Sequence, residues 1–549
     1  MNVKKGFINI LFYLFLIFFI VLPLISFILT SFYKLPISIF DFSAIRNIIG
    51  TFSFSNYKLF FSNSYYMKSL EDTLILGIAV TAVSLAISLP VSYGLSRTTM
   101  KGKQVIRSLL MMGIGIPGFI LTYDFIILST DFRHLPFNIY SFEGLLIVMS
   151  LTSVPFMVMY GTLALGNLDQ RLIESARANG VSEAKIFYKI ILPLVFPGFA
   201  AGMIIVFLLA TGSLSIPLLL APTNFPIITA LAYTQLFSFF KWGLASAMLV
   251  LLLLVNIFAI IIYMVAIRRS SSTVTGKGFR IKYNDNKAVV IILTLYSAVV
   301  AVLPIIEIVI LGLSAFSYRW IGTITPTSYT IHNFGNAFAI YPFSIWSTII
   351  TCLLAGLIAV AISLVSTYGT RTGIIYGRRV IDFMAMVIFA LSNVMVGISY
   401  LALYSNSVTG IIVSDLPVAM IMGYVFARLG YSIRSVGISL DSVSNSLFEA
   451  GKIMLKGRFS NLLYVILPLA LPGIIEGFLL VFVRSSIDYA STILLAPLNW
   501  STLSLASFSF ISTGELSLGA ALAFIIIMIT LPITSYLYVI RGRSFREVV

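Results

Sequence analysis

The chain has 549 residues, of which 59% are hydrophobic and only 10% charged, and its mean hydropathy is +1.05. A soluble globular domain carries about 25% charged residues, so this composition excludes that class and predicts an all-α membrane protein with many spans. The single cysteine, Cys352, rules out an internal disulfide, and with only His134 and His332 no histidine-based metal centre is expected.

Taken in chain order, Lys4 and Lys5 precede an apolar run from Phe7 to Ser31. That run is longer than a signal-peptide core, so we read it as a retained first span. Further apolar segments fall at 72–96, 106–130, 142–166, 196–222 and 242–267, then at 288–315, 346–369, 380–404, 417–440, 471–497 and 516–540. Each is long enough for a hydrocarbon core of ~30 Å at ~1.5 Å rise per residue. About twelve spans put both termini on one side.

The net charge of +16 does not gather on one face, which argues against nucleic acid as a partner. With the amino terminus inside, 25 of the 35 Lys and Arg fall in cytoplasmic segments. Seven (Lys34, Arg46, Lys58, Lys68, Arg133, Lys241 and Arg319) fall outside, and Arg428, Arg434 and Arg484 lie in or beside spans. The positive-inside rule then predicts a multi-pass plasma-membrane protein with both termini cytoplasmic.

The chain also repeats itself. At a shift of 275 residues, Thr73 meets Thr348, AISL at 86–89 meets AISL at 361–364, Glu174 meets Glu449, and Pro197-Gly198 meets Pro472-Gly473. Two parallel six-helix repeats follow, 1–267 and 288–549, joined by a cytoplasmic linker at 268–287 whose SSSTVTGKG is rich in Ser, Thr and Gly.

Each repeat carries one polar stretch between apolar runs, at 170–195 and 445–470. The first follows E-x-A-x3-G-x9-I-x-L-P, with Glu174, Ala176, Gly180, Ile190, Leu192 and Pro193 in place. Glu and Ala favour helix starts and interiors, glycine allows a sharp turn, and proline punctuates entry into the next span. The pattern predicts a short helix on a fixed mount, suited to docking a soluble partner. The second stretch keeps the 19-residue spacing from Glu449 to Pro468 and the Leu467-Pro468 pair. It departs elsewhere: Ala450 is followed by Gly451 in place of the second alanine, Leu455 stands where Gly180 stands, and a glycine comes two residues later at Gly457.

This pair of motifs resembles the EAA loops of the membrane subunits of type I ABC importers, and the chain resembles a fused permease of the iron(III) or thiamine kind. The resemblance implies that Glu174, Ala176, Gly180, Glu449, Ala450, Gly451 and Gly457 couple to ABC ATPase subunits, a dimer in such systems. Leu192, Pro193, Leu467 and Pro468 would anchor the loops. It further implies an extracellular or periplasmic solute-binding protein as partner. There is no GxxxxGK[ST] sequence, so no P-loop is expected here, and ATP and Mg would be used by the partner. No catalytic or metal-binding constellation stands out, so the chain is not expected to be an enzyme.

Ionisable residues within apolar runs are candidates for a solute path. Arg484 and Asp488, four apart in the last-but-one span, are expected to pair on one helix face, and Arg428 joins them as a possible path residue. Asp124, Glu307 and Glu476 are expected to be structural. A secondary transporter of the major-facilitator kind also has twelve spans in two parallel halves. It would lack the matched polar loops.

Overall fold

The computed structural model describes residues 2–38, 52–131, 138–166, 168–270, 286–318, 320, 325–404, 415–454 and 458–547. The expected linker SSSTVTGKG, Leu455 and Gly457 lie almost wholly outside these residues. The fold is built of helices, and an isolated antiparallel bridge joins Ser317 and Tyr329.

The chain opens with α1 (Asn2–Leu16) and α2 (Leu22–Thr30), separated by a π-turn at Ile17–Val21, and then α3 (Ser55–Ser62). The first repeat continues with α4 (Ser64–Arg97), α5 (Lys103–Met112), α6 (Gly118–Asp131), α7 (Phe142–Gly166), α8 (Gln170–Ala178) and α9 (Glu183–Ile186). After a π-turn at Phe187–Ile191 come α10 (Leu192–Thr211), α11 (Ser215–Leu220), α12 (Ile228–Phe237) and α13 (Trp242–Ser270).

The second repeat opens with α14 (Lys287–Ala315) and α15 (His332–Ile340), followed by α16 (Ser344–Arg371), α17 (Arg378–Ala390), α18 (Asn393–Tyr404) and α19 (Pro417–Ser442). Then come α20 (Asn445–Met454), α21 (Arg458–Asn461), a π-turn at Leu462–Ile466, and α22 (Leu467–Ser486). It closes with α23 (Thr492–Leu495), α24 (Leu503–Thr513) and α25 (Leu516–Glu547). The starts of α5, α6, α7, α8, α9 and α10 recur 275 residues later in α17 to α22. The sequence repeat is therefore a repeat of helices.

Among the described residues, nine helices are long and apolar enough to cross a membrane, and eleven spans result if two bent pairs each count as one. The bent pairs are α5 with α6, at 96°, and α17 with α18, at 105°. Hydropathy predicts about twelve spans. The remaining one, α19, has 26 residues and so reaches ~39 Å, but Arg428, Arg434 and Asp441 make it less apolar. Packing fixes the path of the first bent pair. The hydroxyls of Ser84, Ser88 and Ser92 on α4 donate to the carbonyls of Ser150, Val154 and Val158 on α7, at 3.2, 3.4 and 3.4 Å. A constant separation along both helices means that they run parallel. The chain must therefore return between them, and α5 with α6 makes that return.

Proline shapes the entry into three helices. Leu22, Leu192 and Leu467 each donate their N–H to a carbonyl five residues back, and each is followed by a proline. Proline has no N–H to give to the carbonyl four residues back, and here the ladder widens by one residue instead. Other prolines inside helices, Pro90, Pro155 and Pro304 among them, sit in α-helix without such a turn.

The helices gather into two compact units. One comprises Met1–Asn63, Leu231–Val250 and Phe334–Phe510. In it α2 packs on α18, and α16, α19 and α22 pack on one another. The other comprises Ser64–Ala230, Leu251–Asn333 and Ile511–Val549. Its centre is α4 against α7 and α10, and α14 packs there on α4, α5 and α25. Val300 and Ala301 of α14 complete a buried cluster with Val91, Leu95, Ile106, Leu110, Val154 and Val158. Each unit thus takes helices from both sequence halves.

Candidate functional site

The first polar stretch is built as a capped helix on an apolar seat. Asp169 caps α8, its carboxylate accepting the Arg171 N–H at 3.0 Å, and a negative charge there complements the helix dipole. At the other end, the N–H of Gly180 donates to Arg177 O at 2.9 Å and that of Val181 to Ala176 O at 3.1 Å. With Gly180 at φ 70°, this is a Schellman turn, which needs the left-handed conformation glycine tolerates. Ala176 and Val181, the apolar pair of that turn, pack with Leu165, Leu168, Ile173, Ile186 and Val195. Glu174 is half-buried, whereas Arg177, Ala178 and Gly180 are exposed.

The second stretch rests on an equivalent seat: Leu440, Val443, Phe448, Ile466 and Ala470 cluster with Tyr368, Leu462, Val465 and Ile474. Leu440, Val443 and Phe448 occupy the positions of Leu165, Leu168 and Ile173. Glu449 and Ala450 are exposed, and so are Ile453 and Met454 at the end of α20. Gly451 is buried, and a Cβ there would fall 2.1 Å from Asn461 Oδ1. Asn461 in turn donates from Nδ2 to Phe448 O at 3.1 Å. The first copy has Ile186 where the second has Asn461. The departure from the alanine pattern therefore has a local cause: an asparagine bridge across the turn that leaves no room for a methyl.

Of the anchoring residues, Leu192, Pro193 and Pro468 face outward and Leu467 is half-buried. The inward contacts of these helix starts are made by Ile191, Val195, Ile466 and Ala470.

The expected pairing of Arg484 with Asp488 on one helix is corrected by the structure. The helix α22 ends at Ser486, so Asp488 lies beyond it, and its ion pair is with Arg428 of α19: Nη2 to Oδ1 is 3.2 Å, and both side chains are 3% exposed. Asn393 Nδ2 donates to the same carboxylate oxygen at 2.6 Å, and Ser491 donates to the other oxygen from its N–H at 3.1 Å and from its hydroxyl. The Arg428 guanidinium also stacks 4.8 Å from the Tyr424 ring centroid. At the matching positions the first repeat has Ser153 and Ser213, so the ion pair belongs to one repeat alone. Asp124 and Glu307 are buried within α6 and α14, and neither Asp124 carboxylate oxygen has a hydrogen-bond partner. No cluster of three or more potential metal ligands occurs among the described residues.

Two further devices escape a sequence reading. Thr73 Oγ1 accepts the Ile228 N–H at 3.0 Å, and Thr348 Oγ1 accepts the Leu503 N–H at 2.8 Å. Each threonine thus satisfies an orphan donor at the start of a short apolar helix, α12 or α24. Asn56 Nδ2 reaches Ser31 O and Tyr33 O at 2.9 and 2.8 Å, and Asn333 Nδ2 reaches Ala315 O and Ser317 O at 2.9 and 2.7 Å, closing the ends of α2 and α14.

A twice-repeated helical bundle with a polar helix seated on an apolar cluster at the same place in each repeat defines a multi-pass membrane permease with the type I ABC importer fold. Residues 88–272 match the family described as "Binding-protein-dependent transport system inner membrane component". The ferric transport system permease protein FbpB of Actinobacillus pleuropneumoniae is 23% identical over 495 residues, covering 85% of this chain and 70% of that protein. FbpB 1 of Haemophilus influenzae is 25% identical over 466 residues, or 79% of this chain and 71% of that protein. The arabinooligosaccharides transport system permease protein AraQ of Bacillus subtilis is 33% identical over 156 residues, 28% of this chain and 53% of that protein. The chain is thus similar over most of its length to two ferric transport permeases, and its length and repeated helices are those of a fused, two-repeat permease.

Proposed function

We propose that this chain forms the translocation path of an ATP-driven importer. A small solute arrives from an external binding protein, and α8 and α20 dock separate ABC ATPase subunits, which use ATP and Mg. The observation that carries this reading is the matched pair of seats: two short polar helices, 275 residues apart, held by equivalent apolar clusters. The exposed residues at their tips, Arg177 and Ala178 in one and Ile453 and Met454 in the other, form the surface offered to the ATPase. The distribution of Lys and Arg supports cytoplasmic termini and cytoplasmic polar loops. The path residues are Arg428 and Asp488, with Arg484 close by in sequence.

The relatives carry names for different solutes, from ferric iron to arabinooligosaccharides. Two ferric ones cover most of the chain, so an iron(III) complex is the first solute to test. The experiment is purification of the chain from native membranes, followed by ATPase assay with the loaded binding protein. An ATPase subunit is expected to co-purify, and Glu174→Arg is expected to abolish solute-stimulated hydrolysis while the permease stays folded. A secondary transporter would purify without an ATPase and would be indifferent to Glu174→Arg.

A further inference from the structure

We infer that Arg97 and Arg371 are positioning residues that lock each docking helix to the long helix on which it must pull, so that force reaches the bundle instead of being lost in a hinge. The inference rests on the importer reading above. Arg97 is the last residue of α4 and is 5% exposed. Its Nε donates to Leu165 O at 2.8 Å and its Nη2 donates to Leu168 O. Leu165 lies in the final turn of α7, and Leu168 immediately precedes Asp169, the cap of α8. One guanidinium therefore spans the junction between the membrane helix and the docking helix.

The second repeat makes the same bonds. Arg371, the last residue of α16, donates to Leu440 O from Nη1 and to Val443 O from Nη2 at 2.5 Å. It goes further, reaching Asn445 Oδ1 on α20 at 3.1 Å and stacking 5.0 Å from the Phe448 ring centroid. Leu440 and Val443 sit 275 residues after Leu165 and Leu168, whereas the two arginines are 274 apart. The alignment sets Thr372 against Arg97, which hides the correspondence. Two arginines one residue out of register reach the same two carbonyls.

The chemistry explains why arginine serves here. The last carbonyls of a helix lack intrahelical donors and carry the negative end of its dipole. A planar guanidinium offers several donors in a fixed fork, so one side chain can bond two carbonyls three residues apart, whereas an ammonium acts as a compact point charge. Without the clamp, the short connection from α7 to α8 would be free to bend. The apolar seat alone is non-directional and would tolerate sliding. With the clamp, displacement of α8 moves the end of α4, whose serine ladder grips α7 along its length.

The test compares Arg97→Gln, Arg371→Gln and the matching lysine variants in the full chain, assembled with its ATPase and binding protein in nanodiscs and proteoliposomes. The glutamine variants are expected to assemble and to keep basal ATPase activity, while solute moved per ATP hydrolysed falls about tenfold in each and further in the double variant. Lysine keeps the charge but not the fork, and is expected to fall between. Spin labels on α4 and α8 of the permease alone, in a Cys352→Ser background, are expected to give a broader distance distribution in Arg97→Gln than in the parent chain. Wild-type transport per ATP in an assembled variant would overturn the inference, and so would an unchanged distance distribution. Failure of the unmodified chain to recruit any ATPase would instead overturn the importer reading, and the spin-label comparison would still decide whether the clamp holds α8.

Discussion

Arg428 of α19 and Asp488, just past the end of α22, form a buried ion pair at 3.2 Å with both side chains almost fully enclosed. Removing one member leaves a charge without its partner in a low-dielectric interior, which costs about 3–5 kcal/mol. Arg428→Met and Asp488→Asn are each expected to lower stability by that order. The double variant should lose clearly less than the sum, because both charges are gone and the amide oxygen introduced by Asp488→Asn can still accept from Ser491. Thermal unfolding in detergent, run as a double-mutant cycle, measures this coupling. Full additivity would mean that the pair contributes nothing as a pair.

Thr73→Val and Thr348→Val preserve shape and remove one acceptor each. The amides of Ile228 and Leu503 then lose their partners, a loss of about 1 kcal/mol apiece. The two threonines belong to different compact units and share no partner. Their effects should therefore add to within about 0.5 kcal/mol. Unfolding midpoints of the two single variants and the double variant check both the size and the additivity.

Much of this architecture can be read in the sequence because apolar length and internal repetition are strong signals. The helix starts at Lys103, Gly118, Gln170 and Leu192 have counterparts at Arg378, Asn393, Asn445 and Leu467, as the constant shift predicts. What hydropathy cannot locate is where an apolar run stops being helix. The run 196–222 breaks at Gly212 and 471–497 breaks at Ile487, although both continue with apolar residues. Hydropathy consequently assigns Asp488 to the helix of Arg484 and gives it the wrong partner. The arginine clamps escape for a different reason. In sequence they look like ordinary loop charges, and the register slip of one residue removes them from the list of matches. Nor does periodicity indicate that α14 joins the cluster of Val91 and Leu95, since partner choice among apolar helices depends on shape.

That exchange of helices has a consequence for folding. A fragment spanning 1–267 would keep α4, α5 and α7 but lack Val300 and Ala301, which close their cluster, and Ser314, whose hydroxyl bonds Tyr123 Oη. Exposing two such apolar contacts, each worth about 1–2 kcal/mol of burial, leaves a surface that neighbouring helices or lipid must cover. The fragment is expected to accumulate poorly and to be cut by protease within α4 to α7. Co-expression of a second fragment beginning near 281 should restore both. Equal protease resistance with and without the second fragment would count against this packing.

Gly198 and Gly473, matched in the repeat, sit where two helices touch. A Cβ on Gly198 would lie 2.4 Å from Ala164 Cβ, and one on Gly473 would lie 2.3 Å from Ser439 Cβ and 2.7 Å from Ser435 O. Gly198→Ala should therefore cost about 1–3 kcal/mol through overpacking. Because its closest clash is with one methyl, Ala164→Gly on the same chain should recover most of the loss. Gly473→Ala also meets a backbone carbonyl, so Ser439→Gly should recover less of it. Melting temperatures of the four single and two paired variants test the contrast, and equal rescue at both sites would contradict the geometry.

The π-turns ahead of Pro193 and Pro468 give the final prediction. Leu192 and Leu467 donate to Phe187 O and Leu462 O, five residues back, and the prolines that follow have no donor to restore the normal ladder. Pro193→Ala supplies that donor, and replacing proline by alanine inside a helix favours helix by about 3 kcal/mol. Stability should hold or rise. The ladder can then close to α-helix, which takes one residue out of the wide turn and swings the segment before it by ~100° about the axis of α10. Tyr188 and Phe187, now exposed beside α8, would turn with it. Solute-stimulated ATPase activity is therefore expected to fall although the protein is no less stable, and a cysteine placed at Tyr188 should change its labelling rate. The same change at Pro90, inside α4 without a π-turn, should leave the labelling at 188 unaltered. If Pro193→Ala keeps both the labelling rate and the coupling, the wide turn is only proline's local accommodation and has no part in aiming α8.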